Sequence, residues 1–156
     1  MKPDIGISEN HLKRIIALLT KTLADEVTLY TKIRKFHWNV SGDSFMELHK
    51  LFQAQYNELE ENIDEIAERI NKLGGKTIGT MTEFLEITSI NESPNVYPNQ
   101  KEMIKELLAD HETIVKELRK NIDESNENKD VGTVDFLTGL MQQHETMAWI
   151  LRRYLS

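Results

Sequence analysis

Four residues in two short stretches have the types and spacing for metal chemistry: His37 and His49 in "HWNVSGDSFMELH", and Asp64 and Glu68 in "ENIDEIAERI". The histidines stand on either side of Ser41-Gly42-Asp43, a turn signal. If helices flank that turn, the two imidazoles reach similar heights on neighbouring antiparallel helices and can meet. Asp64 and Glu68, four apart on a helix, stack on one face about 6 Å apart along the axis. Like charges so placed cost a few tenths of a kcal/mol unless a cation lies between them. A solvated charged face is the usual reading of such a pair, and Glu65 with Arg69, opposite charges at a favourable spacing, fits it well. Asp64 and Glu68 do not. Histidine and carboxylate donors together suit Fe(II), Zn(II), Mn(II) or Co(II), and an open site of this kind favours redox chemistry over a closed structural role.

The elements that must position these residues are helices. Apolar residues recur at intervals of three and four through four long segments, without the alternation of a strand. The first helix is expected from about Ser8 to Asn39, with Leu12, Ile16, Leu19, Leu23, Val27 and Tyr30 on one stripe. The second, from about Ser44 to Leu73, carries Phe45, Leu48, Phe52, Tyr56, Leu59, Ile63, Ile66 and Ile70. Gly74-Gly75 stops it, as glycine past a helix C-terminus does. Residues 76 to 99 form a long connection in which "MTEFLEI" can make a short helix. A third long helix is expected from about Gln100 to Asn121 and a fourth from about Thr133 to Tyr154. The class is all-α. Two short-linked hairpins joined by one long crossover describe a ferritin-like four-helix bundle, and one such domain spans residues 1 to 156.

Ferritin-like bundles often hold metal in the core through Glu-x-x-His pairs, and the sequence contains none. The candidate ligands point elsewhere. At about 100° per residue, His49 lies roughly 70° from the core direction of the second helix, Asp64 roughly 130° and Glu68 roughly 170°. The carboxylates face outward. His49 and Asp64 are also about 22 Å apart along the axis, whereas donors to one ion must lie within about 2 Å of it. One chain cannot close the site. Two copies packed with their second helices antiparallel about a two-fold axis bring the histidines of one chain opposite the carboxylates of the other, in two identical sites.

Composition narrows the function classes further. The absence of cysteine excludes disulfides, thiolate catalysis and Cys-held metals. A net charge of -7 argues against binding to phosphate backbones and suits cations. No apolar run approaches the roughly 18 residues of a membrane span, and the start "MKPDIGISENH" lacks the features of an export signal, so the expected address is the cytoplasm.

Four stretches carry a family resemblance over nearly the whole chain: "FHWNVSGDSFMELHKLF", "YNELEENIDEIAERINKLGG", "LLADHETIVKELR" and "QQHETMAWILRRYL". The sequence resembles the Dps mini-ferritins, the DNA-binding proteins from starved cells. The resemblance implies a homododecamer of four-helix subunits with a ferroxidase centre at each two-fold interface and a cavity for ferric mineral. It implies oxidation of Fe(II) to Fe(III), preferably by hydrogen peroxide, which withholds both Fenton reactants from DNA. His37, His49, Asp64 and Glu68 match the family's ferroxidase ligands. Trp38 matches the aromatic residue beside the centre, where it intercepts one-electron oxidants; packing at a hairpin end is the alternative role. The acidic stretch "NIDESNENKDVGTVD", read as a loop and helix start, matches the region that lines the three-fold iron pores. Asp130 and Asp135 align best with pore acids, and Asp123 and Glu127 less well.

The chain also departs from the family. Lys50 and Gln53 stand where mineral-nucleating members carry acids, leaving Glu60 and Glu61 as substitutes. The N-terminal segment has Lys2 offset by Asp4 and Glu9 instead of a lysine-rich tail, so DNA binding is expected to be weak or absent. Two other functions compete with the ferroxidase: a nucleoid-compacting protein, and a helical oligomer with a structural zinc at the same ligands. His111 and His144 fall on apolar faces of the last two helices and read as hydrogen-bonded core histidines.

Overall fold

The computed structural model describes residues 3–156, so Lys2 lies outside the described residues. The chain forms α1 (Glu9–Asn39), α2 (Phe45–Lys72), a short α3 (Met81–Ile87), α4 (Gln100–Glu127) and α5 (Val131–Leu155). Local chemistry sets most of the boundaries. Ser8 accepts a hydrogen bond from the His11 amide to start α1, and Asn99 does the same for Glu102 at the start of α4. α3, the expected helix of the crossover, begins with a capping box between Thr80 and Glu83. α2 ends where Gly74 turns left-handed, at φ +85°. There the Gly74 and Gly75 amides donate to Asn71 and Ile70 carbonyls, and a Cβ on Gly74 would lie 2.7 Å from Pro3 Cδ.

α1 and α2 form one antiparallel hairpin and α4 and α5 the other. Their facing stripes, including Leu19, Leu23, Leu59, Ile66, Leu107, Leu118 and Leu137, make the core. Polar bonds tie the two hairpins and the crossover together. Lys32 on α1 pairs with Asp110 on α4 at 2.6 Å. Asp25 accepts hydrogen bonds from the Thr88 hydroxyl and the Ser89 amide, anchoring the end of α3; burial raises its pKa, and these two bonds oppose the rise. Among the described residues, no helix is long and apolar enough to cross a membrane.

The second hairpin departs from expectation at its turn. α4 continues past Asn121 to Glu127, and α5 starts at Val131, so only residues 128 to 130 connect them. Most of the acidic stretch read as a loop is therefore helical. The extra turns carry almost no apolar stripe, so periodicity missed them. They are held by a local stop: Asn128 Nδ2 donates to the Glu124 carbonyl, Lys129 sits left-handed at φ 63°, and the Asp130 amide reaches back to the Ser125 carbonyl.

Candidate metal centre

The His37–His49 pair is built by the α1–α2 turn. Phe36 and Leu48, each beside one of the histidines, are buried and fix the ends of the two helices. Between them the imidazoles stack with ring centroids 3.8 Å apart and planes 18° from parallel. Each ring also bonds to the other residue's main chain: His37 Nδ1 lies 2.8 Å from the His49 carbonyl oxygen, and His49 Nδ1 lies 2.9 Å from that of His37. A carbonyl oxygen only accepts, so each Nδ1 carries the proton. In the neutral imidazoles the Nε2 atoms then hold the free lone pairs, the tautomer a metal ligand needs. The edge of Tyr56 meets His37 at 5.3 Å and Phe45 lies 5.2 Å from His49, which restrict both rings.

Asp64 and Glu68 sit on the exposed side of α2, away from the histidines. Glu68 accepts from Lys72 at 3.0 Å, a solvent-exposed contact of little energetic weight. Among the described residues, no three His, Asp or Glu side chains converge on a metal-sized point. The fold thus joins the two histidines and leaves the two carboxylates facing outward, as the helix geometry requires. Trp38 is 66% exposed, with the Arg34 guanidinium 5.4 Å from its ring centre. Arg34 lies against Tyr30 and Tyr56 as well and donates to the Tyr30 hydroxyl.

The four expected pore acids divide. Asp123, Glu127 and Asp135 are exposed. Asp130 is not: it is 3% exposed, accepts from the Thr133 amide and hydroxyl at the start of α5, and pairs with Arg69 at 2.8 Å. Its carboxylate caps a helix and holds α2 against α5, contacts that its alignment with pore acids did not anticipate. Asp130→Ala should therefore lower stability by about 2 kcal/mol or more. Alanine at Asp123, Glu127 or Asp135 should stay within about 0.5 kcal/mol. Calorimetric melting of the four variants checks this, and an unchanged melt with slowed iron uptake in the Asp130 variant would return it to the pore.

One functional-looking group escaped the sequence. Glu26 on α1 is fully buried against His144, which contacts His111, so the expected core histidines are hydrogen-bonded but in the company of a carboxylate. The available signal was an acid on the same helical face as Leu19 and Leu23, a place where an unpaired charge is costly.

Comparisons with known proteins agree with this architecture. A family model for the ferritin-like domain matches residues 16–156. The chain is 42% identical over 154 residues to a low temperature-induced protein of Nostoc sp., covering 98% of this chain and 86% of that one. It is 41% identical over 145 residues to DNA protection during starvation protein 2 of Bacillus anthracis, covering 92% of this chain and 98% of that one. DpsC from Streptomyces coelicolor superposes with a TM-score of 0.96 at 30% identity, over all of this chain and 91% of that one. With its four-helix fold, its histidine-bearing hairpin and these relatives, the chain belongs to the Dps family of ferritin-like proteins.

Proposed function

We propose that the protein is an iron-oxidising, iron-storing Dps. The reciprocal His37–His49 clamp carries this reading, because it presents two imidazoles in the metal-binding tautomer at the end of a hairpin while, among the described residues of one chain, no three-ligand group is complete and Asp64 and Glu68 face outward. A two-fold partner supplies Asp64 and Glu68, so each dimer holds two sites, and twelve chains form the shell. Iron is the substrate. At each site two Fe(II) give one electron each to a hydrogen peroxide, whose O–O bond breaks. Both peroxide oxygens and two water molecules end up in two ferric oxyhydroxide units, and the four released protons pass to solvent. Both electrons go to one peroxide, so no hydroxyl radical escapes to DNA. The expected setting is the cytoplasm, where Fe(II) and peroxide meet DNA.

Anaerobic loading of the apoprotein with Fe(II), followed by peroxide or by oxygen, tests this. Rapid ferric absorbance with peroxide, and iron retained in an assembly of twelve chains, is the expected result. No acceleration over buffer would leave the structural-zinc reading in first place. DNA protection by this route needs no DNA binding. At -7 per chain, the shell should leave plasmid DNA unshifted in a gel at physiological salt. A shift that survives added salt would make nucleoid compaction the better account.

A further inference from the structure

A cleft of about 250 Å³ lies between α1 and the end of the crossover, and neither His37 nor His49 lines it. α1 contributes Thr28, Thr31, Lys32, Lys35 and Phe36, and the crossover contributes Pro94. Helix pitch explains the cluster: positions 28, 31, 32 and 35 are three and four residues apart and share one face of α1.

Lys32 is the unusual member of this face. It is 9% exposed, and its Nζ lies 2.6 Å from Asp110 Oδ2 on α4. An ammonium has three N–H donors, and this contact occupies one of them. Among the described residues Lys32 has no other hydrogen-bond partner. Lys35, one turn further on, donates one N–H to the Ser93 carbonyl at 2.6 Å and stands 5.0 Å from the centre of the Tyr97 ring. Each ammonium thus keeps two N–H donors without a protein acceptor. Donors on a nearly buried charged group are costly to leave unmet, and an anion is their strongest acceptor.

We propose that this cleft binds a small organic monocarboxylate, its carboxylate held by Lys32 and Lys35 and its apolar body against Phe36 and Pro94. Lys32 keeps its contact with Asp110, and the ligand accepts from the N–H groups that remain. The rest of the cleft disfavours a phosphate. The Thr28 and Thr31 hydroxyls donate to the Ala24 and Val27 carbonyls of their own helix, so neither donates into the cleft. Pro94 has no N–H to offer. A phosphate, with acceptor oxygens on every side, would meet donors at one end only. Glu92, exposed on the crossover wall, repels a second negative charge. A carboxylate needs donors only at its charged end. The volume falls just below the range of about 300–1,000 Å³ that holds drug-sized ligands, which suits an acid of about ten non-hydrogen atoms. The site lies within one chain and adds an organic-acid ligand to a protein otherwise read through iron alone.

Benzoate is the probe, titrated calorimetrically into the assembled apoprotein at low salt with chelator present, and benzamide is its uncharged counterpart. Saturable binding of about one benzoate per chain, with a Kd of about 1 mM or tighter, is expected. Benzamide should bind at least about tenfold more weakly. Lys35→Met removes one ammonium, keeps an apolar stem and leaves the Lys32–Asp110 pair intact, and it should weaken benzoate binding at least about tenfold. No saturation by about 10 mM benzoate, or equal binding of benzamide or by the Lys35 variant, overturns the proposal. Inorganic phosphate that displaces benzoate at concentrations below the benzoate Kd overturns the choice of a carboxylate. If the Lys35 variant does not assemble, a benzoate-soaked crystal of the unaltered protein decides. Ring density against Phe36 with the carboxylate facing Lys32 supports the site, and a cleft holding only water rejects it. No iron takes part, so this proposal and the ferroxidase reading fail separately.

Discussion

His49→Ala should slow peroxide-driven Fe(II) oxidation by at least about 100-fold while the shell stays assembled. Loss of groups that merely orient a metal ligand costs 10 to 100-fold, and loss of a ligand costs no less. The substitution also removes the ring stacked on His37 and the donor to its carbonyl, so His37 loses its fixed orientation as well. Stopped-flow ferric absorbance, with mass measurement of the assembly, reads both effects. Normal oxidation would remove the histidine pair from the reaction. Collapse of the shell would assign the pair a structural role.

The same variants allow a sharper experiment on where the site lies. A His37→Ala/His49→Ala chain and an Asp64→Asn/Glu68→Gln chain should each be inactive alone. Refolded together, a mixed dimer has one site with every ligand intact and one with none. Random pairing at equal amounts therefore restores about a quarter of the sites. No recovery in verified mixed shells would place all four ligands in one chain's own chemistry, against the 22 Å estimate from helix rise.

The second large effect concerns acid. Burial, and then the neighbouring His144, hold the His111 pKa well below its usual value, so His111 is neutral in the folded chain. The unfolded chain binds a proton at His111 below about pH 6.5 and the folded chain does not. The unfolded state then binds more protons, and stability falls as pH falls. This one group should cost about 1 kcal/mol between pH 6.5 and 5.5 and about 1.4 kcal/mol for each further unit, until the folded pKa is reached. Denaturant midpoints in chelator at pH 7.5, 6.5 and 5.5 measure the slope. His111→Gln keeps a hydrogen-bonding side chain but does not titrate, so its slope should be flatter by about one proton. An equal slope in the variant would assign the pH dependence to other groups.

Much of this molecule was legible along the chain because its helices are amphipathic and capped by side chains that act locally. The stripes of α1 and α2, the Gly74 stop and the short α3 all follow from spacing and turn chemistry within a few residues. The histidine pair was legible for the same reason, since a short turn between two helices leaves little freedom in how residues near it face each other. The outward direction of Asp64 and Glu68 followed from helix pitch.

What the sequence did not display either lacked an apolar stripe or depended on contacts between distant segments. The last turns of α4 are polar and show no stripe, so their helical state rests on the cap made by Asn128, Lys129 and Asp130. Asp130 and Asp135 look alike in sequence, yet only Asp130 meets Arg69, sixty-one residues away, and is buried by it. Glu26 reads as one acid in an acidic chain until His144, from 118 residues later, covers it. Local pattern therefore determined the class, the helices and the histidine pair, because propensity, capping and helix pitch act over a few residues. The tertiary structure decided which acids are solvated and which are buried, because burial and pairing are properties of packed helices and are absent from any one of them.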